Sequence, residues 1–218
     1  MLPVDVPADD LPALVGGLYA LVPGEGRPTP HGVRRPGVRV TDGVPVELEV
    51  LLPPLAADPV VRARLLSGAD ALRSLAGRHA VRVLHVVVED DLVAVVRNRF
   101  PAVVLADARR AEGGTVSPRQ AVTTALEVLA GLVEVHAAGL VHGALSERDV
   151  LMDTSVPLRT VVRVTGFGAA ALLGRPVDVA LPPGSGPVPV PADDVWAAGA
   201  LLGQLLTARD AATPADLS

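Results

Sequence analysis

The feature that most limits what this chain can fold into is one long capped helix that stops on a glycine and runs into an extended loop. Ser117-Pro118-Arg119-Gln120 has the form of a capping box with proline at the first helical position, where a missing N–H costs nothing. Val122, Leu126, Leu129, Leu132, Val133 and His136 follow at helical spacing, and Gly139 supplies the stop. Beyond it comes His142-Gly143-Ala144-Leu145, then Ser146-Glu147-Arg148 and Asp149.

The chain ahead of this helix reads differently. Val15 to Val22 is apolar with one turn signal, and a Pro- and Arg-rich stretch follows the turn Pro23-Gly24-Glu25-Gly26. Gly37-Val38-Arg39-Val40 alternates as a strand, Thr41-Asp42-Gly43 reads as a turn, and Val44 to Leu52 reads as a second strand. Asp58-Pro59 opens a helix carrying Val61, Leu65, Leu66, Ala69, Leu72 and Leu75, with Gly77 as its end. Val81 to Val88 and Leu92 to Arg97 are strands joined by Glu89-Asp90-Asp91.

After Phe100-Pro101, a short segment from Val103 to Ala111 leads through the turn Glu112-Gly113-Gly114 to the long helix. Past the loop, Val150-Leu151-Met152 and Val161 to Val164 read as a hairpin around Asp153-Thr154, and Gly174 to Pro191 as a loop. Asp193-Asp194 is placed to cap a last helix, Val195 to Thr207. That helix is apolar almost all round, so it needs cover on every face.

Composition removes several functions. With no cysteine there is no disulfide framework, thiolate metal site or cysteine nucleophile. A net charge of −5 and the lack of a basic run argue against a nucleic-acid partner. The longest apolar run, Val195 to Leu206, is shorter than the roughly 20 residues that span a bilayer, so the expectation is a soluble, cytoplasmic chain.

Four phrases, in order, carry a resemblance: Gly16-Gly17-Leu18-Tyr19-Ala20-Leu21; His136, Gly139 and His142 as His-x-x-Gly-x-x-His; Gly166-Phe167-Gly168; and Asp194-Val195-Trp196-Ala197-Ala198-Gly199. Together they resemble a bacterial Hanks-type Ser/Thr protein kinase domain over roughly residues 15 to 210. The resemblance implies an α+β, two-lobed fold. Residues 1–14 would be a lead-in, 15–99 a small β-rich lobe with one helix, 100–210 a mainly helical lobe truncated after its central helix, and 211–218 a tail.

Set against the family's motifs, the chemistry is missing at each station. The strand lysine that pairs with ATP phosphates falls at Glu49, and its helix glutamate partner at about Gly68. The catalytic aspartate, worth about 10²–10⁴ in rate as a general base, is replaced by Ala144. Gly166 stands where D-F-G has its metal-binding aspartate. Asp149, in the family's Asn position, is the one oxygen ligand kept, and only Gly24 and Gly26 remain of a phosphate-cradling loop. A carboxylate at position 49 opposes an anionic phosphate by about 4 kcal/mol at 4 Å.

Each of these residues also has a plainer reading. His142 either orients the loop or acts catalytically, His136 and His142 lack a third ligand for a metal, and Asp194 is either a buried anchor or a catalyst. Glu147-Arg148 reads as a solvated pair, and Gly24 and Gly26 as an ordinary turn. The structural frame of the motifs is His142, Phe167, Gly168, Asp194, Trp196 and Gly199.

The expected function is therefore a catalytically inactive kinase-like module with no cofactor, ATP with magnesium being the weak alternative. By the resemblance to actinobacterial pseudokinases, its partner would be a phosphothreonine-reading module of cell-envelope assembly, with Thr29, Thr41, Thr115 and Thr165 as acceptors. An active phosphotransferase using Asp149, or a scaffold that dimerises through 195–207, are the competing readings.

Overall fold

The computed structural model describes residues 14–24, 26–75, 77–111, 113–114, 116–153, 161–173, 186 and 188–207. Thr115, Thr154, residues 1–13 of the lead-in, the tail, and 174–185 and 187 of the 174–191 loop lie outside the described residues. The chain divides into two compact units: Met1–Ser74 with Arg82–Phe100, and Leu75–Val81 with Pro101–Ser218. The division falls one residue later than 99/100, and residues 75–81 go with the second unit.

In the first unit, β1 (Tyr19–Leu21), β2 (Arg27–Pro28), β3 (Gly32–Arg39) and β4 (Pro45–Leu51) are followed by α1 (Pro53–Ala57), α2 (Pro59–Ser74), β5 (Val83–Val88) and β6 (Val93–Asn98). The sheet is antiparallel in the order β1-β3-β4-β6-β5, with β2 laid on β3. Side chains alternate across a strand. Val46, Leu48 and Val50 of β4 therefore join Tyr19, Val87, Ala94 and Val96 in one core, while Glu47 and Glu49 turn to the opposite face. Arg34 stands directly opposite Glu49, and Arg97 is its diagonal neighbour across the Glu49–Val95 pair.

Asp58 caps α2 by accepting from Val60 N at 2.7 Å. Val61, Leu65, Ala69 and Leu72 are buried on α2, whereas Leu66 is exposed. The helix ends at Ser74 and not at Gly77, because the next residues belong to the other unit. The lobe also carries the short α1, in addition to the one helix expected.

The second unit contains β7 (Ala102–Val104), α3 (Leu105–Ala111), α4 (Pro118–Ala137), β8 (Val150–Asp153), β9 (Val161–Val164), α5 (Ala169–Leu173) and α6 (Pro191–Thr207). The Ser117–Gln120 capping box is formed in both directions. Ala121, Val128 and Leu132 of α4 pack with Ala198, Leu201 and Leu205 of α6 and with Val150, Val162 and Val164. The expected β8–β9 hairpin is present, and β7 adds a third strand to it.

Glu134 on α4 holds residues 78–80 in this unit, accepting from Arg78 N at 3.0 Å, His79 N at 3.0 Å and Ala80 N at 2.8 Å. Val81 N then donates to Val164 O at 2.8 Å, which is why strand pairing with β6 starts at Val83 and not at Val81. Gly77 lies against the Glu134 carboxylate, so its smallness serves this approach.

Two expectations for α6 are corrected. The helix begins at Pro191, with Asp193 and Asp194 inside its first turn, so Asp194 is not its cap. It is buried along a single stripe, Asp194, Ala198, Leu201 and Leu205, and not on every face. Val195 and Leu206 are exposed on the other side.

Gly131, on the buried side of α4, is where two elements approach closely: a Cβ there would lie 2.8 Å from His79 O and 2.9 Å from Val164 Cγ2. Ala normally stabilises a helix interior by about 1 kcal/mol over Gly. Here overpacking reverses the sign, and Gly131→Ala is expected to destabilise the chain by about 1–3 kcal/mol. A thermal melt checks this; an unchanged or raised Tm would show that the helix and its neighbours are not in van der Waals contact.

Candidate functional site

In the second unit, Asp194 is fully buried and its carboxylate accepts three N–H groups. His142 N donates to Oδ2 at 2.8 Å and Gly143 N to Oδ1 at 2.7 Å. His136 Nε2 lies 2.8 Å from Oδ2, and since a carboxylate only accepts, that nitrogen carries the proton. One side chain from α6 thus fixes the end of α4 and the first two amides of the loop.

His142 is buried, with Nε2 at 2.9 Å from Thr165 O. A carbonyl also only accepts, so Nε2 is protonated and its proton is committed to the backbone. Its Nδ1 and the Thr165 hydroxyl are buried with no hydrogen-bond partner among the described residues. The geometry gives His142 a positioning task between loop and strand. His136 and His142 both point into this network, and no cluster of three metal-ligating side chains occurs among the described residues.

Asp149 closes a single 3-10 turn, Glu147–Asp149, in which its Oδ2 accepts from Ser146 Oγ at 2.8 Å and Ser146 N at 3.2 Å. Its main-chain oxygen receives Thr165 N at 2.8 Å. Glu147 is not part of a solvated pair with Arg148: it meets Arg109 of α3, with Nε 2.7 Å from Oε2 and Nη2 3.1 Å from Oε1. A charge alternation local in sequence hid this partner, which lies 38 residues away.

Phe167 is among the most buried side chains, and Gly168 N donates to Val141 O at 3.1 Å. Gly166 has φ 82°. That left-handed conformation is free for glycine and costs most residues with a Cβ roughly 1–2 kcal/mol, aspartate and asparagine being the ones that visit it most readily. Ala144 brings no ionisable group beside it. Trp196 is half-buried, and Gly199 is exposed, with open space where a Cβ would stand.

In the first unit, Glu49 is buried at 2 % exposure. Its Oε2 receives Arg97 Nη1 at 2.7 Å and Arg34 Nε at 3.4 Å, and its Oε1 receives Thr29 Oγ1 at 2.9 Å. Burial by itself would push this carboxyl up. The Arg34 and Arg97 guanidiniums, with the Thr29 hydroxyl and the Arg97 hydrogen bond, outweigh burial and hold it well below the usual carboxylate range. The electrostatic expectation changes accordingly: Glu49 is not a bare negative charge, because two guanidiniums face one carboxylate. At position 49, where the sequence resemblance would place a lysine, stands a finished ion-pair cluster.

The remaining stations of this unit add no charged partner to that cluster from α2. The only carboxylate on α2 is Asp70, which is exposed and paired with Arg73, and Gly68 is half-buried between Leu65 and Ala69. Gly24 and Gly26 do not form an open cradle. Arg35 Nη1 donates to Gly24 O at 3.3 Å, and a Cβ on Gly26 would lie 2.2 Å from Val33 Cγ1, so the turn is folded onto β3. Of the proposed phosphoacceptors, Thr165 is fully buried, Thr29 is held by Glu49, and Thr41 is exposed.

Sequence reading missed Arg34 and Arg97 as the partners of Glu49. The available signal was register: a two-residue alternation on adjacent strands places an arginine opposite any glutamate at this level.

Removing one member of a buried ion pair costs about 3–5 kcal/mol, so Glu49→Gln is expected to lower unfolding stability by about that amount at pH 7 in urea titrations. The folded carboxyl is depressed, so its contribution is complete above the ordinary value of 4.5 and is lost as pH falls through the lower folded value. The difference between wild type and Glu49→Gln is therefore expected to narrow below about pH 4.5. A difference constant down to pH 3 would mean that Glu49 titrates normally.

Residues 45–189 match the family model described as protein tyrosine and serine/threonine kinase. The chain is 31% identical over 136 residues to serine/threonine-protein kinase PkaB of Streptomyces coelicolor, covering 61% of this chain and 32% of that protein. It is 31% identical over 180 residues to PkaA of the same organism, covering 77% of this chain and 33% of that protein. It spans about a third of the length of these curated relatives. Its fold is similar to that of the PknI kinase domain of Mycobacterium tuberculosis (C20A mutant), with a TM-score of 0.76 at 17% identity over 92% of this chain and 77% of that one. Since the family match reaches into both units and covers well over half of the sequence, the chain belongs to the protein tyrosine and serine/threonine kinase family.

Proposed function

We propose that this chain is a catalytically inactive kinase-like domain, a pseudokinase, that serves as a regulatory or protein-binding module. The observation that carries the reading is Glu49, buried at the lysine station and occupied on both oxygens by Thr29, Arg34 and Arg97. Phosphoryl transfer needs a cation, a metal-binding carboxylate and a base placed around the phosphates. This chain offers a closed ion-pair cluster, Gly166 and Ala144 in their places. The named relatives are kinases, and the differences at these stations are what separate this chain from that activity.

The alternative, an active enzyme using Asp149, has less support, because the Asp149 carboxylate is engaged by Ser146 and its backbone by Thr165. Among the described residues, no group of three or more metal-ligating side chains is placed to hold magnesium. The kept frame around Asp194 suits a role in which shape is presented to another protein. A phosphothreonine-reading module of cell-envelope or signalling pathways is the partner we favour, with exposed Thr41 as the acceptor, and the cytoplasm as the location. Among the described residues, no helix is long and apolar enough to cross a membrane.

Titration with ATP and magnesium or manganese, followed by thermal shift, is expected to give no saturable rise in Tm up to millimolar nucleotide. Transfer of labelled γ-phosphate to a generic protein substrate is expected to stay at background. Turnover that Asp149→Ala abolishes would replace this reading with the enzyme. Glu49→Lys, which reinstates the family's residue, is expected to destabilise the fold by putting three cations together, without creating nucleotide binding.

A further inference from the structure

We propose that the outer face of α4 is a self-association surface on which a second copy of this chain docks antiparallel about a two-fold axis. Val122, Leu126, Leu129 and Val133 are exposed at 47%, 61%, 37% and 66%, although the opposite face of the same helix is buried in the core. Among the described residues of its unit, this helix with two apolar faces is covered on only one. The spacing of the exposed four is 4-3-4, the heptad stripe that packs against another helix.

The occupant follows from the order of the residues. Val, Leu, Leu and Val read the same in both directions about a centre between positions 127 and 128. An antiparallel copy therefore sets Val122 against Val133 of the second copy, and Leu126 against its Leu129, twice over. That is the self-complementarity an isologous two-fold contact requires.

Charge fits the same arrangement. On a helical wheel no acidic residue falls on the stripe: Glu127 and Glu134 turn inward, to Val162 N at 2.6 Å and to the amides of residues 78–80. Thr123 and Ala130, which flank the seam, are small enough for close approach. Arg119, in the first turn, is brought beside the C-terminal turn of the second copy's α4, where the helix dipole is negative. A single helix pair buries less than the about 800 Å² per partner of a standard interface, so the dimer is a reversible one.

The exposed apolar residues of α6 do not offer this. On α6, Val195 and Leu206 are separated by exposed Gly199 and Gly203, which carry no side chain to pack.

Sedimentation velocity of the full chain from about 1 to 200 μM is expected to show a monomer–dimer equilibrium. Leu126→Glu with Leu129→Glu is expected to weaken it by more than about 100-fold while leaving the thermal melt unchanged. The chain has no cysteine, so orientation can be read directly. Oxidised Val122→Cys/Val133→Cys protein is expected to form a disulfide dimer linking 122 to 133, and Val122→Cys alone to stay uncrosslinked. A monomer throughout the concentration range overturns the proposal. So does a dimer that survives the double glutamate variant but is lost with Val195→Glu, and so does a 122–122 crosslink.

Discussion

The second unit depends on one carboxylate. Asp194 sits at the start of α6, fully buried, and its two oxygens are taken by N–H groups from the end of α4 and from the loop. A buried carboxylate is costly unless it is satisfied, and these N–H groups satisfy it. Because the donors include the last turn of α4 and the first residues of the loop, the helix end, the loop path and α6 can only be assembled together. His142 then passes the constraint on to Thr165, and Gly168 is tied to Val141 by its amide. The loop keeps its shape without help from the residues that would do chemistry on it.

A second buried carboxylate organises the first unit, and it arises in the opposite way. Asp194 stands in a motif whose frame the sequence resemblance anticipates, while Glu49 stands where that resemblance would place a cation. Reversing that charge would leave a naked buried carboxylate, and the chain does not leave it so: Arg34 and Arg97 reach it from the strands on either side, with Thr29 on the second oxygen. The substitution at position 49 is thus intelligible only with its neighbours. Paired in this way, the cluster contributes to the stability of the sheet and leaves neither carboxylate oxygen at this station without a donor.

How much of this was legible in the sequence depended on distance along the chain. The α4 helix announced itself because its signals are local: Ser117 and Gln120 three residues apart, and Gly139 at the end. Asp58 as a cap was readable for the same reason. The partners of Glu49 lie 15 and 48 residues away, and the partner of Glu147 lies 38 away, so no window of sequence holds both members. Residues 75–81 have the local pattern of a helix end and a strand start, but Glu134, 54 residues or more downstream, claims the amides of residues 78–80. For α6, an apolar composition suggests burial all round, yet composition says how much surface is apolar and not which elements lie near to cover it.

On the pseudokinase reading proposed above, the residues at the family's catalytic stations each belong to a local structure of their own. At Gly166 the backbone has φ 82°, in the left-handed region that glycine adopts freely and that aspartate and asparagine visit more readily than other residues with a Cβ. At Glu49 a returned lysine would face two arginines that now have a carboxylate to bind. At Asp149 the carboxylate is used to close its own turn. Glu49 and Asp149 are thus both committed to partners within their own units. The engagement of Glu49 and Asp149 within the protein, and an Asp194 that takes three N–H groups from the helix end and the loop, are the features on which the proposed role as a binding module rests.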